Sequence, residues 1–241
     1  MSERWLSGTI IENRPWTQTL FALRVAGVRL AFQAGQFVRI ALDIEGQRVA
    51  RPFSFVNPPH DPVLEFYGVI VPEGPLSPRL ARLAAGDTLF VAPNPAGFLV
   101  MSEIPSCETL WLLATGTGIA PFVSILRTEA PWQRFRNVVV VHAVRYAREL
   151  AYRELIGKTP ARYVPMVSRE PHPGSLAGRI PAALRDGRLE SAAGLPVDAR
   201  SHCMLCGNPQ MLRDTTAALV ERGLRKHRRR APGHITVESF W

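Results

Sequence analysis

The sequence predicts two domains, an N-terminal antiparallel Greek-key β-barrel over residues 1–102 and a C-terminal α/β doubly wound parallel sheet over residues 103–241. Three observations lead there. Up to Val100 the chain is a series of short alternating segments punctuated by glycine and proline. From Thr109 the period changes, and continuous apolar runs alternate with amphipathic stretches. One of those runs, Leu110–Ala114, stops at Thr115-Gly116-Thr117-Gly118 and leads into a helix-like Pro121–Glu129. The 241 residues suffice for two modest domains, and the junction falls near Met101–Ser106.

In the first part, Phe21–Val25, Gln36–Leu42, Val63–Ile70 and Thr88–Ala92 read as strands, with breaks at Gly35, Gly46, Pro58-Pro59, Gly74-Pro75 and Gly86-Asp87. Short strands with regular turns favour an antiparallel barrel or sandwich. Only Ser77–Ala84 looks helical. Two stretches here offer chemistry. Arg51-Pro52-Phe53-Ser54-Phe55-Val56-Asn57 combines a guanidinium for a phosphate, a hydroxyl for a ring and flat aromatic faces. The same stretch also reads as an edge strand with a satisfied arginine. In Gly74-Pro75-Leu76-Ser77-Pro78-Arg79-Leu80, Ser77 stands as an N-cap before Pro78. Such a helix start serves as a cap or holds a phosphate.

In the second part, Val138–Ala143 is a run of the kind covered on both faces of a sheet. Glu149–Ile156, Ile180–Leu184 and Pro209–Arg222 read as helices. Tyr163–Ser168, His202–Cys206 and the closing Ile235–Trp241 read as strands, the first weakened by Pro165. This alternation predicts a parallel sheet whose ligands bind beyond the carboxyl ends of the strands. Thr115–Gly118, Arg145, Ser168-Arg169 and Gly207–Pro209 all follow such strands. Thr-Gly-Thr-Gly alone is either an ordinary turn or a pyrophosphate cradle, where glycine backbone and a helix N-terminus meet an anion. The convergence of these loops favours a nucleotide site.

Composition is that of a globular protein, 46% hydrophobic and 20% charged. No run approaches the roughly 20 apolar residues of a membrane span, and Met1–Trp5 lacks an apolar signal region. These point to a cytoplasmic protein. Three cysteines, Cys107, Cys203 and Cys206, are too few for a disulfide framework. One Cys-x-x-Cys is weak as a metal site, so no metal is expected, and Cys203 is expected to face a core. The net charge of +9 is uneven: nine Arg against eight acids up to residue 100, then twenty Arg/Lys against twelve. Arginine suits bidentate phosphate binding and steers acidic partners, although most of these residues also read as a solvated surface.

Arg51-Pro52-Phe53-Ser54, Gly74–Leu80, Gly116–Phe122, Cys206-Gly207-Asn208-Pro209 and an aromatic C-terminus occur in that order. Along nearly the whole chain this set resembles the ferredoxin–NADP reductase family in its bacterial form. The resemblance implies FAD in the barrel and NADP(H) in the α/β domain. Arg51, next to Pro52, would pair with the FAD pyrophosphate, Phe53 would pack on the flavin and Ser54 would bond near its N5. Tyr67, Gly68, Val69 and Ile70 would line flavin and ribityl chain, and Pro75, Leu76 and Ser77 would hold pyrophosphate. Thr117 would touch the cofactors where the domains meet. Val144, Arg145, Ser168, Arg169, Arg179, Gly207, Asn208 and Pro209 would bind NADP, the arginines gripping its 2′-phosphate. Ser54, Cys206, Glu238 and Phe240 would form the catalytic set, with Phe240 covering the flavin and Trp241 stacking on the FAD adenine. The sequence departs from the family at Phe53, where most members have Tyr. It is also shorter after Ala151-Tyr152-Arg153-Glu154, and Ala120-Pro121 replaces the end of a G-x-G-x-x-G motif.

The implied reaction passes hydride from NADPH to flavin N5, then single electrons to an acidic flavodoxin or ferredoxin. The chain is expected to be a monomer with no nucleic-acid or membrane partner. A free-standing NAD(P)H:flavin or quinone reductase of the same superfamily is the runner-up. The run Arg225-Lys226-His227-Arg228-Arg229-Arg230 suggests a nucleic-acid binder, but no stacking aromatics interleave with it.

Overall fold

A computed structural model describes residues 4–239. The alternating segments of the first hundred residues form β1 (Leu6–Pro15), β2 (Leu20–Ala26), β3 (Phe37–Ile44), β4 (Gln47–Ser54) and β5 (Leu64–Val69), then helix α1 (Ser77–Leu80) and β6 (Thr88–Val91). They make one antiparallel Greek-key sheet in the order β4-β3-β6-β1-β2-β5. The sheet curls on itself. Phe55 bridges Phe66 and the Val56 amide donates to the Glu65 carbonyl at 2.9 Å, so the outermost strands meet just past the end of β4. The interior is filled by Ile10, Leu23, Ile40, Phe66 and Leu89, all buried.

The second sheet is parallel throughout. Its strands are β7 (Thr109–Thr115), β8 (Asn137–Val144), β9 (Arg162–Val167), β10 (Leu176–Ala177), β11 (Ser201–Gly207) and β12 (Ile235–Ser239), in the order β10-β9-β8-β7-β11-β12. Helices α2 (Ala120–Leu126), α3 (Ala130–Arg134), α4 (Arg153–Gly157), α5 (Ile180–Arg185), α6 (Arg188–Ala193) and α7 (Pro209–Glu221) connect them. The central strands β7, β8 and β11 are buried over almost their full length, as their apolar runs require. Cys203 sits at 0% exposure in this core beside Trp111 and Leu205, as expected.

The chain divides into two compact units. One holds the residues up to Val100 together with Ala120–Arg127; the other holds Met101–Ile119 and the chain from Thr128 onward. Helix α2 therefore belongs with the curled sheet. There the Ser124 hydroxyl donates to the Asn57 carbonyl at 2.7 Å, and Arg127 pairs with Glu65 at 3.2 Å and Asp61 at 3.4 Å.

Some elements differ from the sequence reading. Glu149–Ile156 is not one helix: a 3-10 turn over Ala147–Glu149 is cut from α4 by Tyr152, whose φ of 60° is left-handed. Ser77 is not the cap of α1 but its first residue, and its hydroxyl accepts the Val71 amide at 2.9 Å. Pro165 is accommodated in β9 because β10 pairs only with Met166 and Val167, leaving Pro165 on an open edge. No helix among the described residues is long and apolar enough to cross a membrane.

Candidate functional site

In the first unit, the end of β4 and the middle of β5 bring several expected residues into one region. Ser54 is 5% exposed, and its hydroxyl has no hydrogen-bond partner among the described residues. A buried hydroxyl without a partner costs about 1–3 kcal/mol and asks for a ligand atom. Gly68 lets two rings pack directly on β5: a Cβ there would lie 2.8 Å from both the Phe53 and Phe21 rings. Tyr67 is buried and meets Trp16 edge-on at 6.4 Å, with the Arg14 guanidinium 4.0 Å over the indole. Trp16 was not expected from the sequence. Arg51 is exposed; it donates to the Ala50 carbonyl and has no carboxylate partner among the described residues. Val69 and Ile70 continue the β5 segment, and Pro75, Leu76 and Ser77 lead into α1. The Ser77 hydroxyl accepts from Val71, which leaves its own O–H free to donate.

In the second unit, two loops cross beyond the carboxyl ends of β7 and β11. The Asn208 amide donates to the Thr115 hydroxyl at 2.9 Å, and the Asn208 side chain caps α7 by accepting from Gln210 and Met211. Gly207 has φ +128°, and a Cβ on it would stand 2.2 Å from the Thr115 hydroxyl; a Cβ on Gly118 would stand 2.5 Å from the Cys206 carbonyl. Only glycine lets the loops approach this closely. Thr117 is half-buried within the turn Gly116–Ile119. Pro209 opens α7.

A buried histidine stabilises that turn. His142, on β8, places Nε2 3.1 Å from the Gly116 carbonyl. A carbonyl only accepts, so Nε2 carries the hydrogen and the ring is the neutral Nε2–H tautomer. Burial favours that state, pulling the imidazole down to about 4. The only sequence sign of this residue was a polar letter inside an apolar run.

The arginines gather on the loops that follow β8 and β9. Buried Val144 accepts from both the amide and the hydroxyl of Ser168 at 3.1 Å, and the Arg169 amide donates to the Arg145 carbonyl at 2.9 Å. The acids in these loops are occupied by backbone. Glu149 accepts from the Arg145 and Tyr146 amides at 2.9 and 3.2 Å, and Glu170 from the Ala147 amide at 2.7 Å. Among the described residues no carboxylate pairs with Arg145, Arg148, Arg169 or Arg179, whereas Arg48, Arg188, Arg200 and Arg222 all have one. The fold thus leaves the positive charge of these loops available to an anion.

Cys206 and Glu238 are cross-strand partners in the β11–β12 register. Burial, with the neighbouring Glu238 carboxylate adding to it, holds the Cys206 thiol well above its ordinary value, so it stays protonated. Ser54 stands in the first unit. Phe240 and Trp241 lie outside the described residues. The basic run is an ordered turn in which Arg228 and Ala231 exchange backbone bonds and Arg229 grips Glu103. It precedes the amino end of β12, at the opposite end of that strand from Glu238.

Residues 112–217 match the sequence model of the oxidoreductase NAD-binding domain. The chain is 51% identical to an Escherichia coli flavodoxin/ferredoxin–NADP reductase, covering 98% of this chain and 99% of that one. It is 36% identical to a Pseudomonas aeruginosa ferredoxin–NADP reductase, covering 95% of each. In structure it is similar over its full length to a ferredoxin NADP+ reductase from Neisseria gonorrhoeae crystallised with FAD and NADP, with a TM-score of 0.96 and 32% identity.

Proposed function

The chain belongs to the flavodoxin/ferredoxin–NADP reductase family, and from that premise we propose how its residues serve an NADPH-dependent flavoprotein oxidoreductase that exchanges electrons with flavodoxin or ferredoxin. Bound FAD supplies the conversion between a two-electron hydride donor and one-electron protein acceptors.

The cradles fit these groups. In the first unit, the unpartnered Ser54 hydroxyl suits a polar ring edge beside Phe53 and Tyr67, and Gly68 lets the Phe53 ring lie close on β5. Arg51, with Pro52 fixing the strand beside it, and Pro75–Ser77 supply a guanidinium and a hydroxyl for a pyrophosphate. Val69 and Ile70 line the remainder. In the second unit, the glycine crossing of Thr117–Gly118 with Gly207–Pro209 lets backbone approach the NADP pyrophosphate. Val144 and Ser168 frame the adenosine end, and Arg145, Arg169 and Arg179 hold its 2′-phosphate.

The observation that carries the NADPH reading is the occupation of Glu149 and Glu170 by backbone amides, which leaves these arginines unpaired. In the first unit, Ser54 would donate a hydrogen bond to the ring edge of bound flavin. Cys206 would pack as a neutral thiol, and Glu238 would orient the nicotinamide. Phe240 would guard the flavin face and Trp241 would cover the adenine, as the family resemblance implies. The protein acts as a cytoplasmic monomer without a nucleic-acid partner, and its basic surface steers an acidic acceptor.

An anaerobic titration tests this. NADPH is expected to bleach the flavin band of the purified protein at far lower concentration than NADH, and flavodoxin or ferredoxin to reoxidise it. A colourless protein, or one that NADPH leaves oxidised, rules the reading out. Rates with flavodoxin well above those with free flavin or quinone separate it from the runner-up.

A further inference from the structure

We propose that Arg148 is an additional cation of the 2′-phosphate subsite and a determinant of the preference for NADPH over NADH; the proposal rests on the NADP reading above. Arg148 lies in the 3-10 turn Ala147–Glu149, directly after β8 and its following residues Arg145 and Tyr146. Its guanidinium sits 4.5 Å from the centroid of the Tyr146 ring, and the Arg169 guanidinium sits 5.9 Å from the same ring. Two cations from separate loops therefore gather around one aromatic side chain. A ring of this kind gives a flexible arginine a preferred position, which lowers the entropy it loses on gripping a ligand.

Charge neutralisation also fails here in a specific way. Arg148 is adjacent in sequence to Glu149, and Arg169 to Glu170. Elsewhere in the chain an acid two residues from an arginine forms an ion pair with it, as in Arg188–Asp186 at 2.8 Å and Arg200–Asp198 at 2.9 Å. In this loop both carboxylates point inward to backbone amides, and neither pairs with an arginine. An exposed guanidinium held by a ring that Arg169 also approaches, three residues along the chain from Arg145, presents what a phosphomonoester dianion takes: several donors from more than one side. NADH has a hydroxyl in place of that phosphate, so the contact acts on one cofactor and not the other.

The test compares Arg148→Ala, Arg148→Lys and Arg169→Ala in the FAD-loaded protein, with ferricyanide as acceptor. Arg148→Ala is expected to raise KM for NADPH on the order of tenfold, the size of one lost charge-assisted contact. The values with NADH move far less, and Arg148→Lys recovers part of the loss. Competitive inhibition by adenosine 2′-monophosphate weakens in parallel, while inhibition by adenosine 5′-monophosphate does not. If Arg148→Ala leaves the NADPH-to-NADH ratio and the 2′-monophosphate inhibition unchanged while Arg169→Ala collapses both, the proposal is overturned and the NADP reading stands. Equal loss with NADPH and NADH also overturns it, since that is the signature of a merely structural turn. If Arg169→Ala has no effect on the ratio either, the parent reading fails and this proposal with it.

Discussion

The hydroxyl of Thr115 accepts the backbone amide of Asn208 at 2.9 Å, joining two loops that lie 93 residues apart in the chain. Gly207, next to Asn208, has no room for a Cβ against that same hydroxyl. The geometry of the cradle therefore depends on one oxygen atom and one missing methyl group. Thr115→Val removes the acceptor and keeps the shape; it is expected to cost about 1–3 kcal/mol of stability and to raise KM for NADPH, while Thr115→Ser stays near wild type. Gly207→Ala is expected to be more severe, abolishing flavin reduction by NADPH with flavin content retained. A Gly207→Ala protein with normal NADPH kinetics would show that the close approach is not required.

Ser54 invites a contrasting test. Its hydroxyl is buried and unpartnered among the described residues, so Ser54→Ala removes no bond within the protein. The flavin-free chain is expected to keep its thermal midpoint or gain slightly. Flavin reduction by NADPH in stopped flow is expected to slow by roughly 10²-fold, the usual scale for one preorganised donor. A large loss of stability without loss of rate would assign the hydroxyl to folding instead.

Stability should depend on pH through two buried histidines. His142 and His202 are both pulled from the ordinary 6.5 to about 4, chiefly by burial. The unfolded chain binds these protons near 6.5 and the folded chain only near 4. Their contribution is therefore complete above pH 6.5 and is lost as pH falls from 6.5 toward 4, by up to roughly 3 kcal/mol each. Urea midpoints are expected to be flat above neutrality and to drop steeply below pH 6.5. His202→Gln, which retains a partner for the Thr236 hydroxyl now 2.9 Å from Nε2, is expected to flatten that drop. A wild-type midpoint unchanged down to about pH 4.5 would contradict this.

Arg127 ties α2 to the curled sheet through Asp61 and Glu65, with the three side chains only 18–26% exposed. Arg127→Met leaves two half-buried carboxylates together, at an expected cost of roughly 1–3 kcal/mol. Removing the acids as well, in an Asp61→Asn, Glu65→Gln, Arg127→Met triple variant, is expected to restore part of it. Chemical denaturation of the three proteins measures the difference.

What the sequence revealed and what it hid follow from physical causes. Strands β7, β8 and β11 announce themselves because burial on both faces forces continuous apolar letters. Strand β1 does not: most of Leu6–Pro15 is exposed, and an irregularity between Ile10 and Glu12 breaks its alternation. Helix α6 was missed although Gly187 and Gly194, both left-handed, mark its two ends. Within the site, the glycine turns and Arg145 and Arg169 are legible because their place after strands is a matter of order along the chain. The role of Glu149 is not, since a carboxylate that binds backbone and one that binds arginine are the same letter. His142 and Arg148 fall in the same class.

Helix α2 follows β7 in sequence yet packs with the curled sheet, so the backbone passes from one unit to the other three times. Neither unit is a contiguous length of gene. A fragment cut after residue 102 lacks Ser124 and Arg127 and strands their partners Asn57, Asp61 and Glu65. Exchange between relatives therefore has no single clean crossover point here: an exchanged barrel is expected to function as a module only if it carries residues 120–127 with it.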